Sequence, residues 1–239
     1  MQTVEYTILA ALEEKLTAVI VADLHDRPYL EVLRGIEKIR PDFIAVTGDH
    51  MYSPHTAKHG LDFLFDASKI APVFYSIGNH EHIDKAGAEK IAKAGAKLLD
   101  NSYAVYKGIY IGGLTSGWTR RRAKMFELTP PPDLRWLRRF AALPGFKVLL
   151  CHHPEYYPKY IKPLDIDVIF SGHAHGGQWR FFGRGVFAPG QGLFPKLTSG
   201  VIDGRLVISR GLSNTVSVPR LFNPTELVIA HLVPHGGND

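Results

Sequence analysis

The sequence predicts an α/β protein built on two sheets, and three observations lead there. Up to residue 97, apolar runs of strand length alternate with stretches whose apolar residues recur at helical spacing. Each of those runs ends in a cluster of polar, metal-capable side chains. Beyond residue 97 the alternation gives way to β-rich sequence, as a second sheet requires. Ligands of α/β proteins bind at the carboxyl ends of strands, so those ends are where function is sought.

Thr3 to Ala10 alternates weakly and reads as an edge strand, whereas Thr17 to Ala22 is a continuous apolar run suited to a central buried strand. It ends in Asp23-Leu24-His25. Leu30, Leu33, Ile36 and Ile39 place a helix over Tyr29 to Arg40, and Pro41 stops it. Phe43 to Thr47 is a second buried strand, ending in Gly48-Asp49-His50. A helix over Leu61 to Ile70 leads to a strand over Pro72 to Ile77, which ends in Gly78-Asn79-His80-Glu81. Lys85 to Ala96 is an alanine-rich helix. Tyr103 to Lys107 and Ile109 to Gly113 form a hairpin around Lys107-Gly108. A proline run, Pro130 to Pro132, bounds a helix over Arg135 to Leu143. Lys147 to Cys151 is a strand ending in His152-His153-Pro154, and Ile166 to Phe170 is another ending in Ser171-Gly172-His173-Ala174-His175-Gly176-Gly177-Gln178. Further strands are expected over Trp179 to Phe182, Leu197 to Val201, Leu206 to Ser209 and Glu226 to Leu232.

Bulk properties narrow the class. With 239 residues, 45% apolar and 21% charged, the chain has the make-up of a globular domain. Neither repeat nor linker divides it, so one domain over 1–239 is the simplest organisation. The formal charge of +5 is compatible with anionic substrates. The single cysteine, Cys151, excludes an internal disulfide and suits a reducing compartment. No apolar stretch is long enough to span a membrane, and no basic start followed by an apolar block marks a signal peptide. A cytoplasmic protein is therefore expected, with peripheral membrane contact left open and the oligomeric state unknown.

Five strand ends carry metal-capable groups: Asp23 with His25, Asp49, Asn79 with His80, His152 with His153, and His173 with His175. Carboxylates and imidazoles together suit Mn, Fe or Zn, and Co or Ni in vitro, better than the all-oxygen cages of Ca. The set exceeds what one ion needs, and a central aspartate bridges two ions through its two oxygens, which points to a two-metal site.

In order, Asp-x-His, Gly-Asp, Gly-Asn-His-Glu, His and Gly-His-x-His over residues 17 to 178 resemble the calcineurin-like metallophosphoesterase superfamily. The His-Gly-Gly-Gln continuation, Ala188 to Lys196, Thr198-Ser199-Gly200 and Ser209 to Leu212 resemble its YkuE-like branch of small bacterial phosphoesterases. The resemblance implies a four-layer α/β/β/α sandwich of two mixed sheets and two divalent or mixed-valence transition metal ions. It implies Asp23, His25 and His175 on the first ion, Asn79, His152 and His173 on the second, and Asp49 bridging. His152 is preferred to His153 because Pro154 sets the register of the family pattern, leaving His153 beyond the ligands or at the surface. A metal-bridging hydroxide would attack phosphorus, and His80 would protonate the leaving oxygen or stabilise the transition state. The expected activity is that of a phosphodiesterase with phosphomonoesterase activity. Alternatives are a pyrophosphohydrolase of a nucleotide-sugar lipid, with Trp179, Phe181, Phe182, Leu193 and Phe194 touching lipid or packing in the core, and an inactive binding scaffold. There is no strong nucleic-acid signal, because a stacking-rich stretch and a DNA-capping domain are both lacking.

Departures and neighbours carry their own expectations. Where the branch has Leu-Val-Asp after its second aspartate, this chain has His50-Met51-Tyr52, which leaves His80 without that aspartate's support. Gly48 to Tyr52 also resembles the Gly-Asp-x-x-Tyr of purple acid phosphatases. Those enzymes lack a counterpart of His25, so Tyr52 is not expected on a metal. His50 is expected in the pocket or just behind it. Glu81 is expected either to orient His80 or to be a solvated loop carboxylate, and Arg27 to touch phosphate or to pair with Asp26. Lys196, Ser199 and Arg210 are candidates for the substrate pocket, with an Arg210–Glu226 ion pair as the structural alternative. Cys151 is expected as a small buried residue.

Overall fold

A computed structural model describes residues 1–118, 127–214 and 218–235. Its strands are β1 (Gln2–Ala10), β2 (Leu16–Val21), β3 (Phe43–Val46), β4 (Val73–Ser76), β5 (Ala96–Leu99), β6 (Ser102–Tyr106), β7 (Ile109–Leu114), β8 (Lys147–Cys151) and β9 (Val168–Ser171). Two short hairpins follow, β10 (Arg180–Phe181) with β11 (Arg184–Gly185), and β12 (Phe187–Ala188) with β13 (Gly192–Leu193). The chain closes with β14 (Gly200–Ile202), β15 (Leu206–Ile208) and β16 (Glu226–Pro234). The helices are α1 (Leu30–Ile39), α2 (Gly60–Ser68), α3 (Lys85–Lys93) and α4 (Leu134–Ala141).

Two six-stranded mixed sheets result, ordered β1-β16-β2-β3-β4-β5 and β14-β15-β9-β8-β7-β6. The period-2 alternation of strand side chains sorts the core into three seams. Ala18, Ile20, Phe43, Ala45 and Phe74 of the first sheet meet Val148, Leu150, Val168 and Phe170 of the second. Their neighbours Val19, Val21, Ile44, Val46, Val73 and Tyr75 face the other way, under Val32 and Ile36 of α1, Phe63 and Leu64 of α2, and Ile91 of α3. On the far side Leu149, Cys151 and Ile169 pack under Trp136, Leu137 and Phe140 of α4. The order is helix, sheet, sheet, helix, as expected.

Three local expectations change. The helix read over Lys85 to Ala96 ends at Lys93, and Ala96 to Leu99 forms edge strand β5, paired in parallel with β4. The turn at Gly95, with φ at 85°, breaks the alanine-rich pattern there. A short helical turn at Tyr157–Ile161 lies between the elements that the sequence predicts. The strand expected over Leu197 to Val201 begins only at Gly200.

Candidate metal centre

β2, β3 and β4 run parallel in one sheet, and β8 and β9 run parallel in the other. Their carboxyl ends meet at the seam. Backbone bonds carry the β2–β3 ladder past the strand ends, with Asp23 N–H donating to Gly48 O at 3.2 Å and His25 N–H to Asp49 O at 3.0 Å. The two sheets are pinned by His152 Nδ1 against Thr47 O at 2.9 Å, and by His173 N–H donating to Asp23 Oδ2 at 3.1 Å. Close approach demands glycine at Gly78, where a Cβ would lie 2.2 Å from Asp49 Oδ1. Asp23, His25, Asp49, His173 and His175 all adopt left-handed backbone, with φ between 46° and 66°. Non-glycine residues hold such angles at a cost of about 1–2 kcal/mol each, and strain of this kind gathers at functional sites.

Asp23, His25 and His175 offer atoms within 4.8 Å of one another, and so do Asp49, His152 and His173. Asp49 Oδ2 lies between the groups, 3.8 Å from His25 Nε2 and 3.1 Å from His152 Nε2. The strand ends therefore bring Asp23, His25, Asp49, His152, His173 and His175 together at the seam. Asn79 stands on the loop after β4, its Oδ1 buried without a hydrogen-bond partner.

Orphaned polar atoms test whether cations fit. Among the described residues, His25 Nδ1 and Nε2, Asn79 Oδ1 and His173 Nε2 are buried with no hydrogen-bond partner, as are atoms beyond the ligand groups such as Thr47 Oγ1, Trp118 Nε1 and Ser171 Oγ, while His152 Nε2 faces Asp49 Oδ2 at 3.1 Å. Each such atom costs about 1–3 kcal/mol unless something binds it. The four on His25, Asn79 and His173 belong to residues expected as ligands, and imidazole nitrogens with amide oxygen are the donor set of a transition-metal site.

Electrostatics agree. Burial lowers His25 to about 4, and burial together with the Arg220 cation lowers His175 to about 3. Burial, then His153 and His152, hold His173 well below the usual range. These three imidazoles are thus neutral, as a metal requires, with the Nδ1 lone pair of His175 turned to Arg220. Burial opposes charge on both Asp49 and His152, but their mutual attraction prevails. It keeps Asp49 well below the usual carboxylate range and lifts His152 to about 10.

His80 differs from the others. Its backbone N–H donates to Asp49 Oδ1 at 2.9 Å, while its side chain is 51% exposed and its Nε2 is 4.0 Å from Asp49 Oδ2. Tyr52 is exposed, its ring 5.6 Å from that of His25 and 5.9 Å from that of His80, so it borders the site.

Several neighbours depart from expectation. Glu81 is not a solvated loop carboxylate, and the bonds found for it among the described residues go to groups other than His80. It is buried and accepts from Tyr75 Oη, Gly78 N–H at 2.6 Å and His50 N–H at 2.7 Å, tying the loops after β3 and β4 together. Burial, then the charge of Asp49, pushes its carboxyl up to about 7. His50 turns into the core against Gly60 O at 3.0 Å, not into the pocket. Asp26 accepts the backbone N–H groups of Lys58, His59 and Gly60 rather than pairing with Arg27. Arg210 and Glu226 do form an ion pair, at 2.6 Å, and Lys196 is exposed. His153 is buried rather than at the surface, with Ser116 Oγ 2.6 Å from its Nε2 and Glu155 Oε1 3.2 Å from its Nδ1.

The sequence reading missed three residues. Arg220 Nη2 donates to His175 Nδ1 at 3.0 Å, and Asn223 Nδ2 donates to His175 O at 2.7 Å. Glu155, buried, lies 3.7 Å from His173 Nε2 and forms a third group with His153 and His173. Glu155 alone carried a signal, following His152-His153-Pro154 directly in a segment with few other carboxylates.

A family model described as calcineurin-like phosphoesterase matches residues 16–177. An uncharacterized metallophosphoesterase of Campylobacter jejuni is 25% identical over 88% of this chain, which spans only 55% of that relative's length. The uncharacterized metallophosphoesterase YkuE of Bacillus subtilis is 25% identical over 96% of this chain and 84% of its own. The crystal structure of TT1561 of Thermus thermophilus superposes with a TM-score of 0.46 at 13% identity, covering 66% of this chain and 81% of that one.

Proposed function

Since this chain belongs to the calcineurin-like phosphoesterase family, we propose that it is a dinuclear-metal-dependent hydrolase of small phosphate esters, a phosphodiesterase with phosphomonoesterase activity. One observation carries the reading: two clusters of ligand-capable side chains, Asp23, His25 and His175 on one side and His152 and His173 on the other, flank the carboxylate of Asp49. Asp23, His25 and His175 would hold one cation, and Asn79, His152 and His173 the other, with Asp49 serving both. Mn, Fe or Zn suits such a donor set. When bound, a pair of cations lowers the pKa of water so that hydroxide exists near neutral pH, and offsets charge on the phosphoryl oxygens.

The chain's own groups do the rest. The Asp49 carboxylate is fixed by the backbone N–H of His80. Arg220 and Asn223 hold the ring and backbone of His175. His80 is the residue of this set with an exposed ring, which supports reading it as the group that would hand a proton to the departing alkoxide. Ligand elements come from both sheets, which supports reading the chain as one domain. Metal analysis combined with chromogenic monoesters, diesters and diphosphates tests the proposal. Turnover of diesters above monoesters with Mn, Fe or Zn is expected, and no turnover of any of them would leave a binding scaffold.

A further inference from the structure

Three phenylalanines are in an unusual position. Phe182, Phe194 and Phe222 have left-handed φ of 50°, 52° and 51°. Bulky residues rarely adopt that conformation, which strains their backbone. Each also leaves its ring in water: Phe182 is fully exposed, Phe194 is 76% exposed and Phe222 is 78% exposed. Phe182-Gly183 forms the two-residue turn joining β10 and β11, with φ positive at both positions, where asparagine and glycine are the usual choice. A residue that costs both backbone strain and apolar hydration contributes nothing to the free fold. It implies a partner.

The three belong to neighbouring segments. The ring of Phe181 lies 5.9 Å from that of Phe222, and Arg180 N–H donates to Leu221 O at 3.0 Å. Val186, between the two hairpins, donates to Trp179 O at 2.9 Å and accepts from Phe194 N–H at 2.8 Å. Leu193 and Leu221 are also exposed, and Trp179 turns its indole N–H onto Pro219 O at 2.9 Å. Charge identifies the partner. From Gly176 to Thr225 the sole acidic residue is Asp203, already paired with Lys162 at 2.8 Å. Arg184 and Lys196, next to the aromatic tips, are exposed and form no ion pair among the described residues. Aromatic tips flanked by unneutralised cations complement an anionic lipid surface, which takes rings into its interface and attracts Arg and Lys over a Debye length.

We propose that Phe182, Phe194 and Phe222, with Arg184 and Lys196, form a docking surface for anionic lipid bilayers. Arg220 and Asn223, which flank Phe222 in the chain, also hold His175, so docking sets the candidate metal centre at the lipid surface.

Vesicle co-sedimentation with the metal-loaded 239-residue chain tests this, comparing phosphatidylcholine alone with phosphatidylcholine doped with phosphatidylglycerol. Binding to the anionic vesicles, weakened by salt, is expected. In the triple variant Phe182→Asn, Phe194→Asn, Phe222→Asn it should fall about tenfold or more. Asparagine tolerates left-handed φ, so that variant should match the parent in unfolding midpoint and in turnover of a soluble ester. Arg184→Gln with Lys196→Gln should abolish the preference for anionic over neutral vesicles. No binding to the anionic vesicles, or unchanged binding by the triple variant, overturns the proposal. So does concentration-dependent self-association that the triple variant abolishes without any vesicle binding, which would make a second copy the partner. Docking without turnover of any phosphate ester would sink the hydrolase reading and leave this one standing.

Discussion

His80 and Glu155 illustrate how two residues of the same neighbourhood serve different ends. His80 has its backbone tied to Asp49 and its ring half in solvent, so removing the ring leaves the ligand set whole. His80→Ala should keep both cations by metal analysis and lose about a hundredfold in kcat, the range of general acid catalysis. An empty site in that variant would place His80 among the ligands instead. Glu155 works from behind. Burial opposes its charge, but His153 and Thr129 more than offset that, so its carboxyl sits below the usual range. Its Oε1 serves His153 Nδ1 and Thr129 Oγ1 while facing His173. Glu155→Ala strands those partners, so unfolding should cost about 1–3 kcal/mol less in a denaturant titration. Because such outer carboxylates set ligand geometry, metal affinity should fall about 10- to 100-fold, with Glu155→Gln recovering part of the stability but little of the affinity. The clustering of Asp23, His25, Asp49, His152, His173 and His175 was legible because each sits at a strand end where spacing is informative. Arg220 and Asn223 were not, since they reach His175 from a loop 45 and 48 residues away.

Among the elements, α4 offers a clean test of local encoding. Asp133 caps it, accepting from Arg135 N–H at 2.9 Å and Trp136 N–H at 3.0 Å, and the helix buries Trp136, Leu137 and Phe140. Asp133→Ala should destabilise the chain by about 1 kcal/mol at neutral pH. The bond to Trp136 N–H, opposed by slight burial and joined by that to Arg135, lowers the carboxyl below its ordinary value of 3.8. A depressed carboxylate stabilises the fold above its unfolded pKa and loses that contribution as pH falls through the folded value. The stability gap between wild type and Asp133→Ala should therefore be constant above about pH 5 and narrow below pH 4. A gap that widened on acidification would refute the cap as its source. Helices and buried strands were legible where periodicity ran long, as in α1, β2 and β8. β5 was not, because Ala96-Lys97-Leu98-Leu99 continues the composition of α3 and only pairing with β4 makes it a strand. The insertion of β16 between β1 and β2 was equally hidden, since it joins segments from opposite ends of the chain. Local pattern does not encode partners at that separation.

At the scale of the whole molecule, the site is a junction of two sheets whose interior seam is otherwise mainly apolar. Asp23 and Asp49 from the first sheet lie buried among His152, His173 and His175 from the second, so the seam closes over polar groups rather than hydrocarbon. Burial raises the Asp23 carboxyl, partly offset by His152 and reinforced by Asp49, which marks the cost of holding two carboxylates there. Cations that bind the folded chain and not the unfolded one remove that cost and stabilise by mass action. The gain is about 2.7 kcal/mol at a free concentration a hundredfold above Kd. Unfolding temperature should then climb with added Mn or Zn and drop on chelation. Asp49→Asn should blunt the response most, because it weakens the carboxylate that faces both ligand groups while keeping the shape of the loop. His80→Ala should respond like wild type. Calorimetry on chelated and metal-loaded protein decides it: identical unfolding temperatures would mean that the junction is stable as an ion-pair cluster of Asp49 with His152, and that no cation links the sheets.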